Sequence, residues 1–146
     1  MLTGACLCGR TQYEIAAQPR FMYRCYCGRC RAASGTAFAA NIIVDAESFK
    51  ITAGKESLAA FESSPSKFRH FCSACGSPIY SQGEATKQVV SVRCGTLRQD
   101  PGFRPAYHAF VAAKAPWVEI RDDLPQFSEW PDPALVKRLL ARRDGD

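Results

Sequence analysis

At 146 residues the chain is long enough to bury one core and too short for two, and 47% hydrophobic with 23% charged residues excludes a disordered or fibrous class. No apolar run approaches the roughly 20 residues of a membrane span, and Met1 to Cys6 shows no basic head before an apolar stretch; no membrane partner is expected, and a cytoplasmic location is. The formal charge of +5 counts all eight cysteines as neutral. Seven of them bound as thiolates to two zinc ions would bring it to about +2, and the basic residues form no long stripe, so a nucleic-acid partner is not expected.

In chain order, Cys6-Leu7-Cys8-Gly9 reads as a turn that feeds a strand over residues 11–15, where apolar and polar side chains alternate. Phe21-Met22-Tyr23 leads as a second short strand into Cys25-Tyr26-Cys27-Gly28-Arg29-Cys30, read as a loop, and Arg31-Ala32-Ala33-Ser34-Gly35 continues as a turn. Residues 36–44 form a mostly apolar run that fits a buried strand. Phe49-Lys50-Ile51 and Leu58-Ala59-Ala60-Phe61 flank a turn signal at Ala53-Gly54-Lys55, the pattern of a hairpin. Residues 67–72 alternate and deliver Cys72-Ser73-Ala74-Cys75-Gly76, with Pro78-Ile79-Tyr80 continuing beyond. Residues 88–94 make the clearest late strand, and 107–111 suit one more. Asp132-Pro133 starts a helix in which Leu135, Leu139 and Leu140 recur at helical spacing up to Arg142-Arg143. The expected fold is mainly β, with residues 1–130 as one zinc-binding domain and 131–146 as a C-terminal helix and tail of the same unit.

Cysteines at these spacings, without an export signal, point to metal rather than to disulfides. Cys6, Cys8, Cys72 and Cys75 are two half-sites that together complete a closed tetrahedral zinc site, structural in role, with Gly9 and Gly76 freeing the turns behind the sulfurs. Cys25, Cys27 and Cys30 form a second zinc site with one position left over, and are the catalytic candidates as ligands of that ion. Cys94, His70 and His108 are the possible fourth ligands; the plainer readings are an apolar cysteine and two structural histidines. Three thiolates on Zn²⁺ leave about −1, so water activation is disfavoured and an incoming thiol suits the ion better. A thiol held as thiolate can add to an electrophilic carbon and form a C–S bond. Arg24, Arg29 and Arg31 lie near the three thiols in sequence and could receive the carboxylates of a thiol peptide. Trp117, Phe127 and Trp130, in proline-rich segments, suit either anchors of a protein interface or packing over the β core.

Gly4-Ala5-Cys6-Leu7-Cys8-Gly9, residues 25–35 and residues 69–78, in that order, resemble the motifs of the glutathione-dependent formaldehyde-activating enzyme (GFA) and centromere protein V family. Gly95-Thr96-Leu97, His108, Lys114-Ala115-Pro116-Trp117 and residues 123–127 are similar to its later signature. The resemblance implies an Mss4-like small β-sheet fold built around zinc knuckles and two zinc ions per chain. It also implies a carbon–sulfur lyase activity that joins glutathione to formaldehyde as S-hydroxymethylglutathione; no protein partner is named by it. Where the family has histidine between the first two cysteines of its second motif, this chain has Tyr26. Cys94 stands where an aliphatic residue or alanine is expected. A non-catalytic zinc-binding interaction module is the alternative function.

Overall fold

A computed structural model of the chain describes residues 1–142; the last four residues of the expected helix and tail lie outside them. The chain runs β1 (Leu2–Ala5), β2 (Gln12–Ile15), β3 (Phe21–Cys25), α1 (Gly28–Ser34), β4 (Ala39–Asp45), β5 (Phe49–Ala53), β6 (Leu58–Ser64), β7 (Lys67–Cys72), β8 (Pro78–Gly83), β9 (Val89–Arg93), β10 (Pro105–Ala109) and α2 (Pro133–Ala141). The mainly β architecture is as expected, and none of the described helices is long and apolar enough to cross a membrane. A three-stranded sheet, β1-β2-β5, stands beside a seven-stranded one ordered β10-β3-β4-β9-β8-β7-β6. Among the described residues only the β10–β3 pairing in the larger sheet is parallel; its other pairings are antiparallel.

Strand alternation gives the large sheet two different faces. Met22, Ile42, Val90, Val92 and Tyr80 turn to one side and join Tyr13 and Ile15 of the small sheet in the main core. Each fully buried aliphatic side chain there contributes roughly 1.5–3 kcal/mol before chain entropy is counted. The opposite side carries Cys25, Tyr23 and Phe21 on β3, which register with Ala39, Asn41 and Ile43 on β4, and then with Arg93 and Ser91 on β9. At the β10 end of this second face, α2 closes a separate core, with Leu139 buried beside Phe21, Ile43 and Tyr107. Asp132 caps α2, its Oδ1 accepting from the Ala134 N–H at 2.9 Å, and Pro133 takes the first turn, as the sequence predicted.

Three local expectations differ from the structure. β1 is an additional strand, paired to β2 across the first cysteine turn. The expected hairpin does not form: β5 pairs with β2 in the small sheet, whereas β6 pairs with β7 at the edge of the large one. Gly54, at φ 71°, packs directly on Arg10, and the turn there carries the chain from one sheet to the other. Residues 28–34 are helical rather than loop and turn, because Cys27 acts as the N-cap, its Sγ accepting from the Cys30 N–H at 3.3 Å, and Gly35 ends the helix at φ 65°.

Candidate metal centres

The two ends of the first centre come from opposite sheets. The turn after β1 presents Cys6 and Cys8, and the turn after β7 presents Cys72 and Cys75, and all four sulfurs lie within 4.8 Å of one another. Cys6 and Cys8 Sγ are 3.5 Å apart and Cys8 and Cys72 Sγ 3.8 Å, too far for a disulfide, and all eight cysteines are free. Each turn is tightened by a glycine in the left-handed region, Gly9 at φ 78° and Gly76 at φ 77°, whose N–H groups reach the Cys6 and Cys72 carbonyls at 3.1 and 2.7 Å. The Thr11 N–H points at Cys6 Sγ at 3.2 Å, and the Ser77 hydroxyl, 3.2 Å away, holds the Cys75 thiol down to about 5. Four convergent sulfurs with donors aimed at them are the ligand chemistry of a closed zinc centre.

The second group is built from one corner. Cys25 ends β3, Cys27 caps α1 and Cys30 lies in its first turn, so strand end and helix start bring three sulfurs within 4.8 Å. Cys30 is held down to about 5, first by the bond with Cys25 and then, against its burial, by the Arg69 charge. Cys25 is pushed up, first by the same bond and then by burial. Donor type and spread again fit a soft divalent ion such as zinc, here with three sulfurs.

None of the three possible fourth ligands joins this group, as the plainer readings had it, and among the described residues no other cysteine, histidine or carboxylate does. Cys94 packs against the main core beside the small sheet, and burial pushes its thiol up to about 11, as suits an apolar filler. His70 stacks on Tyr80 with ring centres 4.1 Å apart. His108, fully buried, has both ring nitrogens occupied. Nε2 lies 2.9 Å from the Asp122 carboxylate, which can only accept, so in the neutral imidazole Nε2 carries the proton and Nδ1 accepts from the Tyr26 hydroxyl at 2.9 Å. Tyr26, 1% exposed, thereby ties the strip between Cys25 and Cys27 to β10.

The cations that meet the thiols are not the ones nearest in sequence. Arg24 lies over the Phe38 ring and 3.9 Å from Asp122, Arg31 Nε donates to the Tyr26 carbonyl, and Arg29 is exposed. Instead, Arg69 from β7 places Nη2 3.7 Å from Cys30 Sγ, with Nε on the Ser63 hydroxyl. Arg93, 6% exposed, donates to Asn41 Oδ1 at 2.6 Å and to the Ser91 carbonyl, and interacts electrostatically with Cys30 and Cys25. Neither guanidinium faces a carboxylate among the described residues. Both line a cavity of about 330 Å³ together with Ala33, His70 and Tyr80. Strand alternation could have placed Arg69 opposite Phe68, but only the register across β7, β8 and β9 brings it to the cysteines.

Of the exposed-aromatic candidates, Phe127 packs in the core beneath α2, whereas Trp117 and Trp130 stay 73% and 70% exposed, the latter edge-on to Phe110.

A small β-sheet protein with one four-cysteine and one three-cysteine group, each able to hold a metal ion, is thus the class that fold and site define. Residues 1–113 match the profile described as "Glutathione-dependent formaldehyde-activating enzyme", and the chain belongs to that family. It is similar to a Halomonas elongata protein named "Putative glutathione-dependent formaldehyde-activating enzyme", 28% identical over 148 residues that cover 94% of this chain and 93% of that one. It is also similar in fold to a Rhodobacter sphaeroides protein of known crystal structure, with a TM-score of 0.58 and 23% identity, covering 70% of this chain and 91% of the other.

Proposed function

We propose that the chain joins a small thiol of the glutathione type to the carbon of an aldehyde, as a carbon–sulfur lyase acting in the synthetic direction. The observation that carries this reading is the three-sulfur group of Cys25, Cys27 and Cys30, to which no fourth side chain among the described residues is added. Cys6, Cys8, Cys72 and Cys75 would hold a structural zinc, and the three-cysteine group a second one. Zinc held there would supply a soft cation at which an incoming thiol is deprotonated outright.

The remaining work falls to side chains. Arg69 and Arg93, without carboxylate partners among the described residues, receive the carboxylate of the thiol, and the cavity they line is of small-ligand size. Tyr26, His108 and Asp122 keep the backbone between the first two cysteines in place. In the reaction the C–S bond forms as the carbonyl π pair moves to oxygen, and the proton lost from sulfur ends on that oxygen; the reverse returns thiol and aldehyde. A cytoplasmic setting, where thiols stay reduced, suits eight free cysteines.

The test is two-dimensional exchange NMR on glutathione with formaldehyde, alongside a metal count. Wild-type protein is expected to speed adduct exchange and hold two zinc ions; Cys25→Ser is expected to hold one and to show no acceleration. Equal exchange with the two proteins eliminates formaldehyde activation. A protein-interaction module is favoured by one observation, the exposure of Trp117 and Trp130. That reading requires a second zinc indifferent to millimolar glutathione.

A further inference from the structure

The second face of the large sheet holds more space than a formaldehyde molecule can use. Between it and α2 lies a cleft of about 530 Å³, within the size range of small-molecule sites. Its floor crosses the strands in register, from Tyr107 on β10 through Phe21 and Tyr23 on β3 to Ile43 on β4, and on to Ser91 and Ser81. Its roof is Trp130, Val136 and Leu140. The two ends differ. The β10–β3 end is aromatic, with Tyr23 and Tyr107 stacked at 5.4 Å and Phe21 6.0 Å from Tyr107; the β8–β7 end is polar and includes Lys67.

The aromatic end adjoins the thiols. Tyr23 precedes Cys25 by two positions on β3 and so shares its face, and it packs both in the core under α2 and against the shell around Cys25, Cys30 and Ala39. Ala109, which lines the cleft, is the register partner of Cys25 across the β10–β3 pairing. A body seated among these rings has its end toward the three-cysteine corner, while Arg69 and Arg93 receive the thiol from the neighbouring cavity.

We propose that this cleft seats the apolar body of the electrophile, so that the aldehyde is an aryl-alkyl aldehyde rather than formaldehyde alone. The inference rests on the thiol–aldehyde reading above and names its second substrate. The bond changes are the same: C–S forms, the carbonyl π bond opens, and the thiol proton ends on the adduct oxygen.

Binding and turnover are measured separately. In Trp117→Phe protein Trp130 is the only tryptophan, and titration with the unreactive 2-phenylethanol is expected to change its emission saturably, also in a Cys30→Ser background. Val136→Phe, which fills the cleft from α2, is expected to weaken that binding about tenfold. With glutathione, kcat/KM for phenylacetaldehyde is expected to exceed that for formaldehyde at least tenfold, and Val136→Phe to lower that ratio. Absence of a saturable emission change overturns the proposal, whatever the activity. Acceleration with formaldehyde but not with phenylacetaldehyde overturns it while leaving the thiol–aldehyde reading intact, and acceleration with neither removes both.

Discussion

Two buried hydroxyls show how the same deletion can act with opposite signs. Thr11 is fully buried and its Oγ1 has no partner among the described residues, so Thr11→Val removes a desolvated oxygen and keeps the shape. It is expected to raise unfolding free energy by about 1 kcal/mol, read from urea midpoints at constant slope. Tyr26→Phe also removes one oxygen, but leaves His108 Nδ1 without its donor in the interior. A loss of about 1–3 kcal/mol is expected, with weaker retention of the second metal because the strip between Cys25 and Cys27 loses its tie. The far end of that chain adds a pH dependence. The His108 hydrogen bond comes first among the causes that hold Asp122 below the usual carboxylate range. A carboxyl whose folded value is depressed stabilises the fold above its ordinary pKa of about 4 and stops doing so as pH falls through the folded value. Wild type and Asp122→Asn should therefore differ in stability at neutral pH and converge in acid, as followed by circular dichroism.

Whole elements depend on a few positions whose reasons lie elsewhere in the chain. At Gly54 a Cβ would stand 2.0 Å from the Arg10 carbonyl oxygen, and the backbone there already has φ +71°. Gly54→Ala is expected to cost at least about 2 kcal/mol in chemical unfolding, since neither backbone can yield without disturbing the pairing of β2 with β5. The same glycine explains why the sequence looks like a hairpin. Two short strands around a glycine turn are what a hairpin and a crossing between sheets both look like, and only the pairing of Phe49 and Ile51 with Ile15 and Tyr13 distinguishes them. Strands with clear alternation, β7 and β9, and the Asp132-Pro133 start of α2 were legible because their signals are local. α1 was not, because a cysteine that caps a helix looks like nothing but a ligand. The seven clustered cysteines were readable from spacing; Arg69 and Arg93 were not, since sheet register alone brings them to the thiols.

At the scale of the molecule the two cysteine centres differ in what they connect. The first joins the small sheet to the far end of β7 across 64 residues, from Cys8 to Cys72, whereas the second closes a single corner between Cys25 and Cys30. Constraint on the unfolded chain grows with the span closed, and metal affinity for a site that the unfolded chain lacks is folding free energy. Cys72→Ser is thus expected to lower Tm by about 10 °C or more, and Cys27→Ser by less than about 5 °C, in calorimetry of zinc-loaded protein. The same contrast has a temporal side during synthesis. Cys25, Cys27 and Cys30 leave the ribosome almost together, but Cys8 precedes Cys72 by 64 residues, roughly 3 to 13 seconds at about 5–20 residues per second. Throughout that interval the amino-terminal pair has no mate, so a nascent chain in oxidising surroundings is exposed to mispaired sulfur before its two sheets can be pinned together.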